Sequence, residues 1–146
     1  MEKIAIASDH GGYALKEMLV GFLIGMQIDV LDLGTDSTES VDYPIFGEKC
    51  ARAVSSGEAT RGIVVCGSGI GISIAANKVK GIRCALCTSK EMAELSRKHN
   101  NANMLALGGR LTDAATAVGI VNTWLFTEFE GGRHKKRIDM LDKIKR

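Results

Sequence analysis

Long apolar runs are missing from this 146-residue chain: no stretch approaches the ~18 residues that a membrane span needs. The run Ile4–Ala7 is broken by Asp9 and His10, which makes it too short for the core of a signal peptide. The expected address is therefore the cytoplasm, with no membrane partner. There is one proline, Pro44, and no low-complexity stretch, internal repeat or linker, so 1–146 is expected to be a single domain. Both common nucleotide signatures are absent too. Gly67, Gly69 and Gly71 read G-x-G-x-G, which is not the dinucleotide spacing, and no Gly-Lys-Ser/Thr ends the run.

What is present is ordinary in bulk, at 45% hydrophobic and 25% charged residues. The net charge of +2 conceals an uneven distribution. Residues 131–146 hold seven Lys/Arg against two Asp, and the remainder holds twelve against fifteen acids. A basic tail on a mildly acidic body argues against a nucleic-acid partner, which requires a broad basic face. Four cysteines, Cys50, Cys66, Cys84 and Cys87, occur without signs of secretion, so no disulfides are expected. Cys84 and Cys87 fall on one predicted strand, where residues three apart face opposite ways. They suit neither a shared metal nor a disulfide, and no metal site is expected.

Short strands are predicted at Ile4–Ala7, Ile28–Leu33, Arg61–Cys66, Arg83–Cys87 and Met104–Leu107. Helices alternate with them. One carries Leu15, Met18, Leu19, Phe22 and Leu23 on one face; the others start near Pro44, after Gly71, at Thr88 and near Thr112. Thr88-x-x-Glu91 reads as a capping box, and the helix it opens ends near His99. Gly131-Gly132 breaks the chain before a basic helical tail, 131–146. This order predicts an α/β, Rossmann-like, doubly wound parallel five-stranded sheet with helices on both faces. Ligands of such sheets bind beyond the carboxyl ends of the strands, which here are Asp9-His10, Asp42-Tyr43, Cys66 to Gly71 and Gly108 to Arg110.

Cys66-Gly67-Ser68-Gly69-Ile70-Gly71 is the most informative of these exits. Its glycines let backbone N–H groups approach a ligand, and a cysteine beside a helix N-terminus sits in a potential that favours the thiolate. A base facing an anion hole is the functional reading; a cysteine packed as a small hydrophobe is the plain one. His99, in the last turn of its helix, is either a proton donor or an exposed cap. Asp9 is either a ligand group or a cap for the first helix. Arg133 and Arg137, four apart, share a helix face and can clamp a phosphate, or simply be solvated. His134 and the other basic tail residues read as solvated.

Taken together, Ser8–Gly12, Ser40–Pro44, Cys66–Gly71, Ala75–Lys78, His99-Asn100, Gly109-Arg110 and Gly131–Arg133 make the chain resemble the type B ribose-5-phosphate isomerases, the family that includes galactose-6-phosphate isomerase subunits. The resemblance implies metal- and cofactor-free interconversion of an aldose phosphate and a ketose phosphate through a cis-enediolate. It implies Cys66 as the base, His99 as the acid, and Gly67, Gly69, Ile70 and Gly71 around the enediolate with the Ser68 hydroxyl assisting. Asp9, His10, Tyr43, Asn100, Arg110, Arg133 and Arg137 would bind the substrate. It also implies a homodimer or tetramer with sites at the dimer interface. Ser68 stands where many members have Thr, and Ile45 where Asp is frequent. The alternatives are a galactose- or allose-6-phosphate isomerase, or a sugar-phosphate sensor without turnover.

Overall fold

The computed structural model describes residues 2–145. Five parallel strands lie in the order β2-β1-β3-β5-β4. They are β1 (Lys3–Ser8), β2 (Asp29–Asp32), β3 (Arg61–Cys66), β4 (Cys84–Leu86) and β5 (Met104–Gly108). Between and after them run α1 (Tyr13–Gly25), α2 (Tyr43–Ser55), α3 (Ile70–Asn77), α4 (Lys90–Lys98), α5 (Ala114–Phe126) and α6 (Arg133–Asp142). The doubly wound sheet expected from the sequence is the observed architecture.

The three central strands are buried on both faces, and their alternation divides the core in two. Ile4, Ile6, Ile63, Val65, Leu105 and Leu107 pack with residues of α1, α4 and α5, including the fully buried Trp124. Ala5, Ala7, Val64, Cys66, Met104 and Ala106 face α2 and α3. The first face is lined by bulky side chains and the second mostly by small ones. Small residues let helices approach closely: a β-carbon on Gly47 of α2 would stand 3.0 Å from Ala75 of α3. Cys84 and Cys87 fall in opposite halves of the core, as strand alternation requires.

Both edge strands are shorter than their apolar runs suggest. Arg83 N–H donates to the Asn103 side chain (2.8 Å) instead of entering the ladder. The cap of α4 is also one residue later than the sequence signature implies. Ser89 accepts from Met92 N–H at 3.1 Å, while the Thr88 hydroxyl meets the Met92 sulfur. Ser89 has the extended backbone of an N-cap, and the Thr88 hydroxyl has no part in capping.

Strand order reverses between β1 and β3, which opens a crevice at their carboxyl ends. Because helices return antiparallel to the strands, the C-terminal ends of α4 and α5 lie at the opposite, amino edge. Arg61, which begins β3, donates to the carbonyls of Trp124 and Leu125 near the end of α5.

Candidate active site

The crevice holds a cavity of about 390 Å³ lined by Asp9, Tyr43, Cys66, Gly67, Ser68, Gly71, Arg110 and Leu111. Cys66 ends β3, and its Sγ accepts a hydrogen bond from Gly69 N–H at 3.2 Å. Gly69 is the N-cap of α3 with φ +80°, a left-handed conformation natural to glycine. A β-carbon there would also lie 2.6 Å from Leu86 and 2.8 Å from the Leu107 carbonyl carbon. The tight turn that aims an amide at sulfur therefore depends on this glycine. Ser68 Oγ accepts from Ile70 N–H at 3.2 Å, which leaves its own proton free for a ligand.

Two backbone hydrogen bonds, Gly109 N–H to Cys66 C=O (2.8 Å) and Arg110 N–H to Gly67 C=O (3.0 Å), tie the exit of β5 to this loop. They bring the Arg110 guanidinium over Gly67 and Gly11, where β-carbons would meet it at 3.1 and 3.3 Å. Among the described residues that guanidinium has no hydrogen-bond or ion-pair partner, so it is free to take an anion. Tyr43 closes another wall against Gly71, where a β-carbon would lie 2.7 Å from its ring. Asp9 serves as a cap, accepting from Gly12 N–H at 3.1 Å, and also lines the cavity. His10 Nδ1 accepts from Val41 N–H at 3.1 Å and so holds the loop after β2.

The four thiols differ. Burial pushes Cys50 up to about 12 and Cys87 up to about 11, and it raises Cys84 as well. Cys50 donates toward the Ile63 carbonyl, whereas the Cys66 sulfur is an acceptor at a cavity wall.

The remaining predicted residues do not join this cavity. His99 caps the C-terminus of α4, five residues before β5 begins, and so lies at the amino edge. Five steps of ~3.3 Å along a strand put roughly 16 Å between the two edges. Asn100 lines a separate, mostly apolar cavity with Ile82, Leu141 and Ile144. Arg133 and Arg137 are exposed on α6, without an ion-pair partner among the described residues. One chain thus carries two half-constellations at opposite edges.

His134 overturns the expectation of a solvated tail. It is 8% exposed, and its ring stacks on His99 at 4.3 Å between centroids, 15° from parallel. Burial first, then the neighbouring positive charges of His99 and Arg133, hold its pKa below the ordinary histidine range. Glu130 Oε1 lies 3.4 Å from His134 Nε2 and 3.9 Å from His99 Nε2. Leu111 and Glu130 had no local sequence signal, since only the packed chain brings Leu111 to the cavity and Glu130 to His99.

The first half-site combines a thiol, converging backbone donors, a hydroxyl and an unpaired guanidinium. That set can remove a proton and stabilise the oxyanion it leaves. Known proteins with the same framework include the ribose-5-phosphate isomerase B of Escherichia coli, 45% identical over 99% of this chain and 97% of that protein. The solved structure of Clostridium thermocellum ribose-5-phosphate isomerase B superposes with a TM-score of 0.96 at 57% identity, covering 97% of this chain and 95% of that one. The Mycoplasma genitalium ribose-5-phosphate isomerase B, solved with bound ribulose 5-phosphate, matches at 0.92 and 41% identity over 97% and 94%. The family described as ribose/galactose isomerase matches residues 4–141, and the chain belongs to it.

Proposed function

We propose that this chain is an aldose–ketose isomerase interconverting ribose 5-phosphate and ribulose 5-phosphate, with Cys66 as base. The observation that carries this reading is the Cys66 sulfur at the cavity wall, held by the Gly69 amide, beside the Arg110 guanidinium, which has no partner among the described residues. In the forward direction the Cys66 thiolate takes the C2 proton of the open-chain aldose. The electron pair forms the C1–C2 double bond of a cis-enediolate, and the former carbonyl oxygen becomes the oxyanion. Amides of residues 67–71 and the Ser68 hydroxyl stabilise that charge. The thiol, whose proton exchanges with solvent, then protonates C1 while the O2 hydroxyl proton passes across to O1, and O2 becomes the ketone. His99 donates a proton to the ring oxygen when the furanose opens. Arg110, Arg133 and Arg137 neutralise the phosphate, and Asp9, His10, Tyr43 and Asn100 contact the sugar.

Within one chain His99 and Arg133 lie too far from Cys66 to act on the same substrate, which supports a site completed by a second copy. Ile70, Ile74 and Leu111, respectively 54%, 55% and 77% exposed, stand beside the cavity as an apolar face for that copy. None of the described helices is long and apolar enough to cross a membrane. A doubly charged sugar phosphate does not cross one unaided, so the enzyme would work in the cytoplasm, where its substrate is held.

Incubation with ribose 5-phosphate in D₂O tests the chemistry. The expected result is deuterium at C1 of ribulose 5-phosphate and at C2 of recovered ribose 5-phosphate, seen by NMR. A protein that binds the sugar without exchanging any C–H proton would be a sensor, and the isomerase reading would fail. Exchange only with hexose 6-phosphates would instead favour the galactose or allose alternative.

A further inference from the structure

We propose that His99, Glu130 and His134 form a binding site for a divalent transition-metal ion, such as Zn²⁺ or Co²⁺, and that the ion inhibits turnover by occupying His99. The inhibition rests on the reading of His99 as proton donor; the metal site does not. The backbone alone brings the three side chains together. His99 is the C-cap of α4, with its N–H bonded to Leu95 C=O at 2.9 Å. Glu130 N–H donates to Lys98 C=O at 3.1 Å, one residue before that cap. His134 lies in the first turn of α6, just past the Gly131-Gly132 bend that follows Glu130, and faces inward with the buried Ile138 one turn further on.

Three Lewis-basic atoms result, His99 Nε2, His134 Nε2 and a Glu130 oxygen, all within 4.8 Å of one another. Neither carboxylate contact, at 3.4 and 3.9 Å, is a hydrogen bond. A tetrahedral ion with ligands at ~2.0–2.1 Å sets its donors on the order of 3.3 Å apart, close to these separations. Two imidazoles and one carboxylate are a donor set for zinc, cobalt, nickel or copper, not for magnesium or calcium, and three protein ligands leave one position open. With the rings only 15° from parallel, in-plane lone pairs on the two Nε2 atoms do not converge on one point. Binding requires one ring to turn about χ2, and the side chain of His99, 41% exposed, has room to do so where His134, at 10%, does not.

The test uses the full chain, stripped with EDTA and titrated with Co²⁺ by calorimetry and visible absorption, with Zn²⁺ compared in the activity assay. The expected result is one ion per chain, a d–d spectrum without a thiolate charge-transfer band, and loss of ribose 5-phosphate turnover that EDTA reverses. Glu130→Gln and His134→Ala, each checked for folding by circular dichroism, should weaken Co²⁺ binding at least tenfold and abolish the inhibition by Zn²⁺. Absence of binding up to millimolar Co²⁺ would overturn the site. So would unchanged affinity in both variants, and a thiolate band would then put the ion on Cys66. Stoichiometric binding that leaves turnover intact would overturn the masking and with it the donor role of His99. The isomerase reading itself is judged separately, by deuterium exchange in the metal-free protein.

Discussion

Among the four thiols, three are held by burial in a form that cannot serve as a base near neutral pH, and Cys66 alone meets both an amide donor and a cavity. Cys66→Ala is expected to lose most of kcat with KM little changed, since general-base catalysis supplies on the order of 10²–10⁴ in rate. Steady-state kinetics on purified, folded variant checks this, and near-normal turnover would remove Cys66 from the mechanism. The Cys66 loop was legible in the sequence because its geometry is local: five residues fix the turn, the helix start and the donors. His134 was not, because its burial depends on Ile138 docking α6 and on the stack with His99. Asp9 could be read two ways, and the structure makes both compatible, since one oxygen caps Gly12 while the residue still lines the cavity.

At the level of elements, strands and helices followed apolar periodicity, while their ends followed individual hydrogen bonds. The N-terminus of α4 illustrates the difference. Thr88-x-x-Glu91 and Ser89-x-x-Met92 compete for the same start, and the backbone of Ser89 settles the register. Ser89→Ala should therefore lower stability by about 1 kcal/mol, and Thr88→Ala by much less, in urea unfolding monitored by circular dichroism. A larger loss at Thr88 would contradict the assigned cap. The edge strands end in the same way: single backbone bonds still reach Leu33, Arg83 and Cys87 beyond the regular strands, while the Arg83 N–H turns to the Asn103 side chain. The two glycine-rich exits, at residues 66–71 and 108–110, are joined by backbone bonds between residues far apart in sequence. No pattern in either segment reveals that pairing.

At the scale of the molecule, the sequence identifies the residues of the proposed site but not the chain that supplies each one. The parallel sheet puts Cys66 at one edge and His99 with Arg133 at the other, so linear order conceals the separation. Because the proposed steps use only acid, base and anion-binding groups, exhaustive EDTA treatment should leave activity undiminished in a coupled spectrophotometric assay. Loss that a divalent ion restores would contradict that mechanism. The central claim, a Cys66-based site completed by a neighbour, is tested most directly by mixing two disabled proteins. Cys66→Ala and Arg133→Ala chains, each nearly inactive, are denatured together in equal amounts and refolded. Random pairing in a twofold dimer makes about half the molecules mixed, and each mixed dimer then holds one doubly damaged site and one intact site. Activity should return to roughly a quarter of the unmodified protein's. If mass spectrometry confirms mixed dimers and activity does not return, each Cys66 works with its own chain's Arg133, and the shared site is wrong.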